Sequence, residues 1–285
     1  MNSATSKDHK GKRNTRSETP KATEPRIIAY FDILGYKEFL KDSDNDEYEL
    51  LSSIRTEFSK LNAVNDKYAE TNNALRIKTF SDNVIMAIKP TATSSERNAL
   101  DFLATMICIV QLLFVERHNL LIRGSFLYGN ILIDDTMVFG EGLVKAAELE
   151  AKDAIYPRII VDDSITKRFG DSVFTAPYIA EDHDGKPYLD PFSIIDVYCV
   201  KQDTIQCLKT IRNNLVQRVK RYCKYTHNVA DPAKIAAREK VISKHLWFID
   251  LFNRFCENSN YDDLLIKIEP VLNERLMKFE IRTLP

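Results

Sequence analysis

Two aspartates stand where strands should carry apolar residues. In YFDILGYKEFL, Tyr30–Leu40, Asp32 ends the apolar run RIIAYF, and a glycine follows at a helix start. In FSDNV, Asp82 sits in a turn between LRIKTF and VIMAIK, two β-type runs joined by hairpin chemistry. A carboxylate at the end of a core strand must be neutral, paired or metal-bound, because an isolated buried charge is costly. If the hairpin packs beside the first strand, both acids reach one sheet end, where like charges repel unless a cation lies between them. Magnesium or manganese suits such a site: each takes a few carboxylate and carbonyl oxygens and leaves positions for water or phosphate. Beside Asp32, the turn ILGY offers backbone N–H groups at a helix start, an anion-binding arrangement. The alternative stays open that Asp32 caps the following helix and Asp82 is a turn residue.

The elements that must position these acids follow from periodicity. Arg26–Asp32 reads as a strand, and DEYELLSSIRTEFSKLNAVNDKYAE as a helix with Tyr48, Leu51, Ile54, Phe58 and Leu61 at helical spacing. After the hairpin, TSSERNALDFLATMICIVQLLFVERH is a long helix, apolar enough at its centre to be buried on most sides. LLIRGSFLYGNILID reads as a strand pair, GEGLVKAAELEAKD as a helix and PRIIVD as a strand. The order predicts an α+β fold, a ferredoxin-like βαββαβ sandwich with additions. EDHDGKPYLDPF is an added β-hairpin around Asp184 and Gly185. It lacks the twelve-residue calcium pattern with its terminal Glu. Residues 1–25 read as a disordered basic tail, 26–200 as the α+β unit and 201–285 as a helical extension. In that extension Trp247, Phe248, Phe252 and Phe255 form a core stripe.

Composition narrows the class. The 285 residues carry a formal net charge of −1, with 44% hydrophobic and 28% charged, so nothing global draws the chain to nucleic acid or an anionic membrane. Five scattered cysteines have neither zinc spacing nor close pairing, which suggests a reducing compartment. No signal-peptide pattern is present, and the apolar run Phe102–Val115 is too short to span a bilayer, so a cytoplasmic protein is expected. Walker, GxGxxG and GxSxG motifs are absent, and His118 and His183, without partners at metal or triad spacing, read as surface residues.

FDILGY, IKTFSDNVIMA, IRGSFLYGNI and FGEGLVKAAELE followed by PRIIVD, taken in this order, resemble the class III nucleotidyl cyclase catalytic domain over about Arg26 to Ser164. The resemblance implies that Asp32 and Asp82, with the Ile33 carbonyl, hold two Mn2+ or Mg2+ ions around a nucleoside triphosphate. Phe31, Leu34, Gly35, Tyr36 and Lys78 would line the nucleotide site. Lys78 matches the position at which adenylyl cyclases contact the base. The family's ribose-steadying Asn and transition-state Arg fall on Val144 and Glu148 here, so those roles are missing or come from elsewhere; Arg123, Lys145 and Arg158 are the candidate cations nearby.

LGY at the first turn, a single catalytic unit and the added hairpin and tail resemble the pyrimidine cyclases of the anti-phage system called Pycsar. That resemblance implies cyclisation of UTP, or second CTP, by a manganese-dependent homodimer whose product a separate effector reads. Tyr36, whose ring would narrow the pocket toward a single-ring base, agrees, although helix-start packing explains it equally well. A catalytically degenerate cyclase fold that binds nucleotide is the alternative. A dinucleotide-forming relative is disfavoured by the lack of a GG[DE]EF-like hairpin.

Overall fold

A computed structural model describes residues 22–36, 47–68, 75–90, 96–199, 203–224, 232–273 and 276–283. The expected tail therefore lies almost wholly outside the described residues. The central sheet is built from β1 (Glu24–Leu34), β2 (Arg76–Phe80), β3 (Asn83–Ile88) and β4 (Leu121–Ile133), with α1 (Glu47–Tyr68) between β1 and β2 and α2 (Glu96–Arg117) between β3 and β4. The strands lie in the order β2-β3-β1-β4, and β1 is antiparallel to both neighbours. That is the ferredoxin-like βαββαβ arrangement. The helix α3 (Glu141–Asp153) then crosses over to β6 (Ile159–Val161), which runs parallel to β4, and the added hairpin, β7 (Ile179–Glu181) and β8 (Pro187–Leu189), extends the same sheet.

β1 reads as continuously apolar because it is covered on both faces. Ile27, Ala29, Phe31 and Ile33 point into a large core with α1 and α2, while Ile28 and Tyr30 point into a smaller one under α3. Strand alternation puts Asp32 on the α3 side, one step beyond Tyr30. In α1 the buried stripe is Leu50, Ile54 and Phe58, so Tyr48 and Leu51 of the expected face are exposed. Burial on all sides of α2's centre, at Leu103, Ala104, Met106, Ile107 and Cys108, meets expectation. The helix has 22 residues and is long and apolar enough to cross a membrane by length and composition, yet 72% of its apolar window is buried inside the fold.

Two further expectations are corrected. LLIRGSFLYGNILID is one 13-residue strand rather than a pair, its end meeting the two-residue β5 (Val138–Phe139). The C-terminal segment is not helical throughout. The short α4 (Asp163–Phe169) and α5 (Ile195–Tyr198) lead to α6 (Thr204–Lys224) and α7 (Pro232–Asn258), and a separate antiparallel pair follows, β9 (Ile266–Asn273) with β10 (Leu276–Thr283). Side chains of α6 and α7, among them Ile211, Leu215 and Phe252, enter the large core, and the Phe192 ring lies 5.7 Å from that of Phe252.

Candidate functional site

Asp32 and Asp82 come together because β1 sits between the hairpin β2–β3 and β4. Asp32 is opposite Asn83 on one side and Arg123 on the other. The Ile33 amide donates to the Asp82 carbonyl at 3.1 Å, which ties the hairpin turn to the end of β1. Ser81, at the first position of that two-residue turn, has φ 56°, as primed hairpin turns require. The Asp82 carboxylate accepts from Ser81 Oγ at 3.0 Å and Asn83 Nδ2 at 3.4 Å, and the Tyr30 hydroxyl donates to Asn83 Oδ1 at 2.5 Å.

Asp32 is held by Arg123. Nε donates to Oδ1 at 3.0 Å and Nη2 to Oδ2 at 3.1 Å, a fork onto one carboxylate. The strand beside it must come very close, since a Cβ on Gly124 would stand 2.1 Å from the Tyr30 carbonyl oxygen. Nη2 of Arg123 also lies 2.7 Å from Glu150 Oε1, and Nη1 donates to the Ala154 carbonyl at 3.4 Å, just past α3. Ser125, two residues along β4, donates to the Ala146 carbonyl at 2.8 Å and seats α3 so that Glu150, one turn on, meets Arg123. Burial works against charge on the Arg123 guanidinium, but the hydrogen bonds to Asp32 together with the negative charges of Asp32, Glu150 and Asp82 outweigh it and hold its pKa above the ordinary value. Burial, followed by the negative charge of Asp32, raises the Glu150 pKa to about 7.

Glu150 was not legible from the sequence. The available signal is the i, i+4 series Gly142, Ala146 and Glu150, which forms the buried face of α3, whereas Val144 and Glu148 lie on its exposed face. The other expected residues distribute unevenly. Lys78 belongs to a row across the sheet, Lys78, Ile85, Tyr30 and Ser125, on the Asp32 side, and its amine is 4.0 Å from Asp135. Gly35 has φ 82° and turns the chain out of β1. Phe31 is fully buried in the large core, and Leu34 and Tyr36 pack against that core; for Tyr36 this is the helix-start packing alternative.

Lys145 is engaged at 2.6 Å with Asp162, the N-cap of α4. Arg158, the third candidate cation, is fully buried, paired with Asp182 and Asp184 of the β7–β8 hairpin, and lies over the Tyr156 ring at 5.5 Å, so its charge is taken up within the core. Asp182 also accepts from Trp247 Nε1 at 2.8 Å, which joins α7 to that cluster. His118 is half-buried with its ring edge-on to Phe114, while His183 is exposed with Nδ1 2.6 Å from Asp182.

The donors at the sheet end suit a hard divalent cation in kind: two carboxylates and a backbone carbonyl, with Asp32 and Asp82 both partly exposed. Among the described residues no three His, Cys, Asp or Glu side chains form a ready-made metal cage, and Arg123 already holds Asp32.

Two solved nucleotide cyclases are similar to this chain. One is an adenylate/guanylate cyclase/hydrolase from Silicibacter pomeroyi, 18% identical, with a TM-score of 0.39 and coverage of 59% of this chain and 94% of that one. The other is the catalytic core of a rhodopsin-guanylyl cyclase with converted specificity in complex with ATPαS, 14% identical, with a TM-score of 0.40 and coverage of 59% and 95%. No family model and no curated protein matches the chain. At these identities and scores neither structure assigns a function here.

Proposed function

We propose that the protein is a nucleotide cyclase that converts a pyrimidine nucleoside triphosphate, UTP ahead of CTP, to its 3′,5′-cyclic monophosphate and pyrophosphate. The observation that carries this reading is the meeting of Asp32 and Asp82 at one sheet end, tied by the Ile33 amide to the Asp82 carbonyl. The order of motifs resembling class III cyclases supports the reaction class. The choice of a pyrimidine rests on the Pycsar resemblance alone, since Tyr36 packs against the core.

Asp32, Asp82 and the Ile33 carbonyl would hold two Mn2+ or Mg2+ ions. When bound, such ions neutralise triphosphate charge and ease loss of the 3′-hydroxyl proton. The chain's own part is positioning. The turn Leu34–Tyr36 would place backbone N–H groups beside the phosphates, and Lys78, partly exposed on the Asp32 side, supplies a cation for the base edge or the phosphates. The 3′-hydroxyl proton passes to solvent water, and the 3′-oxygen forms its bond to the α-phosphorus as the bond to the leaving pyrophosphate breaks.

The same resemblance leads us to a cytoplasmic homodimer in which the segment around Phe139 and Val144, both strongly exposed, faces the partner's Asp32, and whose product a separate effector reads in anti-phage defence. A second reading, nucleotide binding without turnover, is favoured by the fork of Arg123 on Asp32 and by Val144 and Glu148 standing where the family carries Asn and Arg.

The deciding experiment incubates the protein with Mn2+ and each of four labelled triphosphates and identifies products by mass. Cyclic UMP or cyclic CMP is expected. A nucleotide-dependent rise in melting temperature without product selects the second reading, and cyclic AMP or GMP as the main product overturns the base assignment.

A further inference from the structure

The arrangement of Arg123 goes beyond a simple partner for Asp32. Its guanidinium touches three groups on two elements: both Asp32 oxygens on β1, Glu150 on α3 and the Ala154 carbonyl just past the end of α3. The contact with Glu150 is short, at 2.7 Å, yet Glu150 Oε1 is buried and has no aligned hydrogen bond. A small rotation of the guanidinium off Asp32 would complete that bond. The C-terminal end of a helix, with its free carbonyls, already favours a cation there. Arg123 thus has a second resting place, already in contact, that does not require Asp32.

Resting on the metal-dependent reading above, we propose that Arg123 is an exchangeable internal counter-cation. It neutralises Asp32 when no divalent ion is bound and passes to Glu150 and the α3 end when one arrives. Arg123 and Glu150 are then positioning residues that set the metal affinity of Asp32 and couple metal occupancy to α3. With Arg123 shared in this way, and with the charge of Lys244 also acting on Glu150, three carboxylates, Asp32, Asp82 and Glu150, coexist at one sheet end.

The test is Mn2+ binding without nucleotide, read from the electron paramagnetic resonance signal of the free ion, on folded full-length protein. Arg123→Gln removes the competitor and should tighten binding about tenfold. Glu150→Gln removes the second resting place and should weaken binding several-fold, but only while Arg123 is present. In the Arg123→Gln background it should change nothing. Arg123→Lys keeps the charge but loses the fork, should bind Mn2+ with intermediate affinity, and serves if Arg123→Gln does not fold.

Equal or weaker binding by both Arg123 variants overturns the exchange. So does an equal loss from Glu150→Gln in both backgrounds, which would make Glu150 an ordinary charge acting at a distance. A folded wild-type protein that takes up no Mn2+ instead overturns the metal reading beneath it.

Discussion

Arg123 stands directly opposite Asp32 in the β1–β4 register and grips both oxygens of its carboxylate, at 3.0 and 3.1 Å. A residue implied as a metal ligand is therefore also one half of a cross-strand ion pair, and its substitution has two separable consequences.

Asp32→Asn and Asp82→Asn should each abolish Mn2+-dependent product formation. Their effects on stability should differ. Asp32→Asn strips a partly buried ion pair and should cost about 1–2 kcal/mol. Asp82→Asn changes a turn residue whose carboxylate, among the described residues, bonds its neighbours Ser81 and Asn83, and should stay within about 0.5 kcal/mol of wild type. Product mass together with urea denaturation separates the two; near-wild-type turnover by either variant removes that residue from the site.

Glu150 predicts a pH dependence of stability. Its folded pKa, raised to about 7 by burial and then by Asp32, exceeds the ordinary carboxylate value of 4.5. The native state therefore holds more protons than the unfolded chain between those limits, and the contribution of this group to stability falls as pH rises from about 4.5 toward 7. Glu150→Gln should be more stable than wild type at about pH 8 and indistinguishable near pH 4, below the unfolded-state pKa. Denaturant midpoints in chelator across that range measure it, and a constant difference between the two proteins would exclude this titration.

Gly124→Ala tests the close approach of β4 to β1. The added methyl would meet the Tyr30 carbonyl oxygen at 2.1 Å and Phe31 Cα at 2.7 Å, backbone atoms with no room to yield. A loss of about 3 kcal/mol is expected, together with a widened gap between Asp32 and Arg123. A melting temperature unchanged from wild type would contradict the strand spacing.

Arg158→Leu should be among the most damaging single changes, because it leaves the buried Asp182 without its main cation. The cost should be about 3–5 kcal/mol. At temperatures where the variant is folded, Mn2+ binding should equal that of wild type. A specific loss of metal or triphosphate binding in folded protein would return Arg158 to the site.

Much of the fold was legible because strand and helix periods are local properties. The short apolar run around Ile27–Phe31 read as a buried strand, and the all-round apolar centre of α2 read as a helix buried on most sides, and both are found so. Asp32 and Asp82 were conspicuous for the same reason, as charges interrupting β-type sequence. Their meeting required the order β2-β3-β1-β4, which the succession of elements implied.

The occupants of the remaining space were decided only in three dimensions. Whether a cation serves a phosphate or the core depends on which carboxylate the chain brings beside it, and Arg158 meets Asp182 and Asp184 only because β8 joins β6. Glu150 shared its spacing with Gly142 and Ala146, but that this face of α3 turns toward Arg123 was decided by the hydrogen bond from Ser125 to Ala146. Periodicity reports which residues share a face; the charge that face meets is a property of packing between elements far apart in the chain, and there Arg123 came to stand between Asp32 and Glu150.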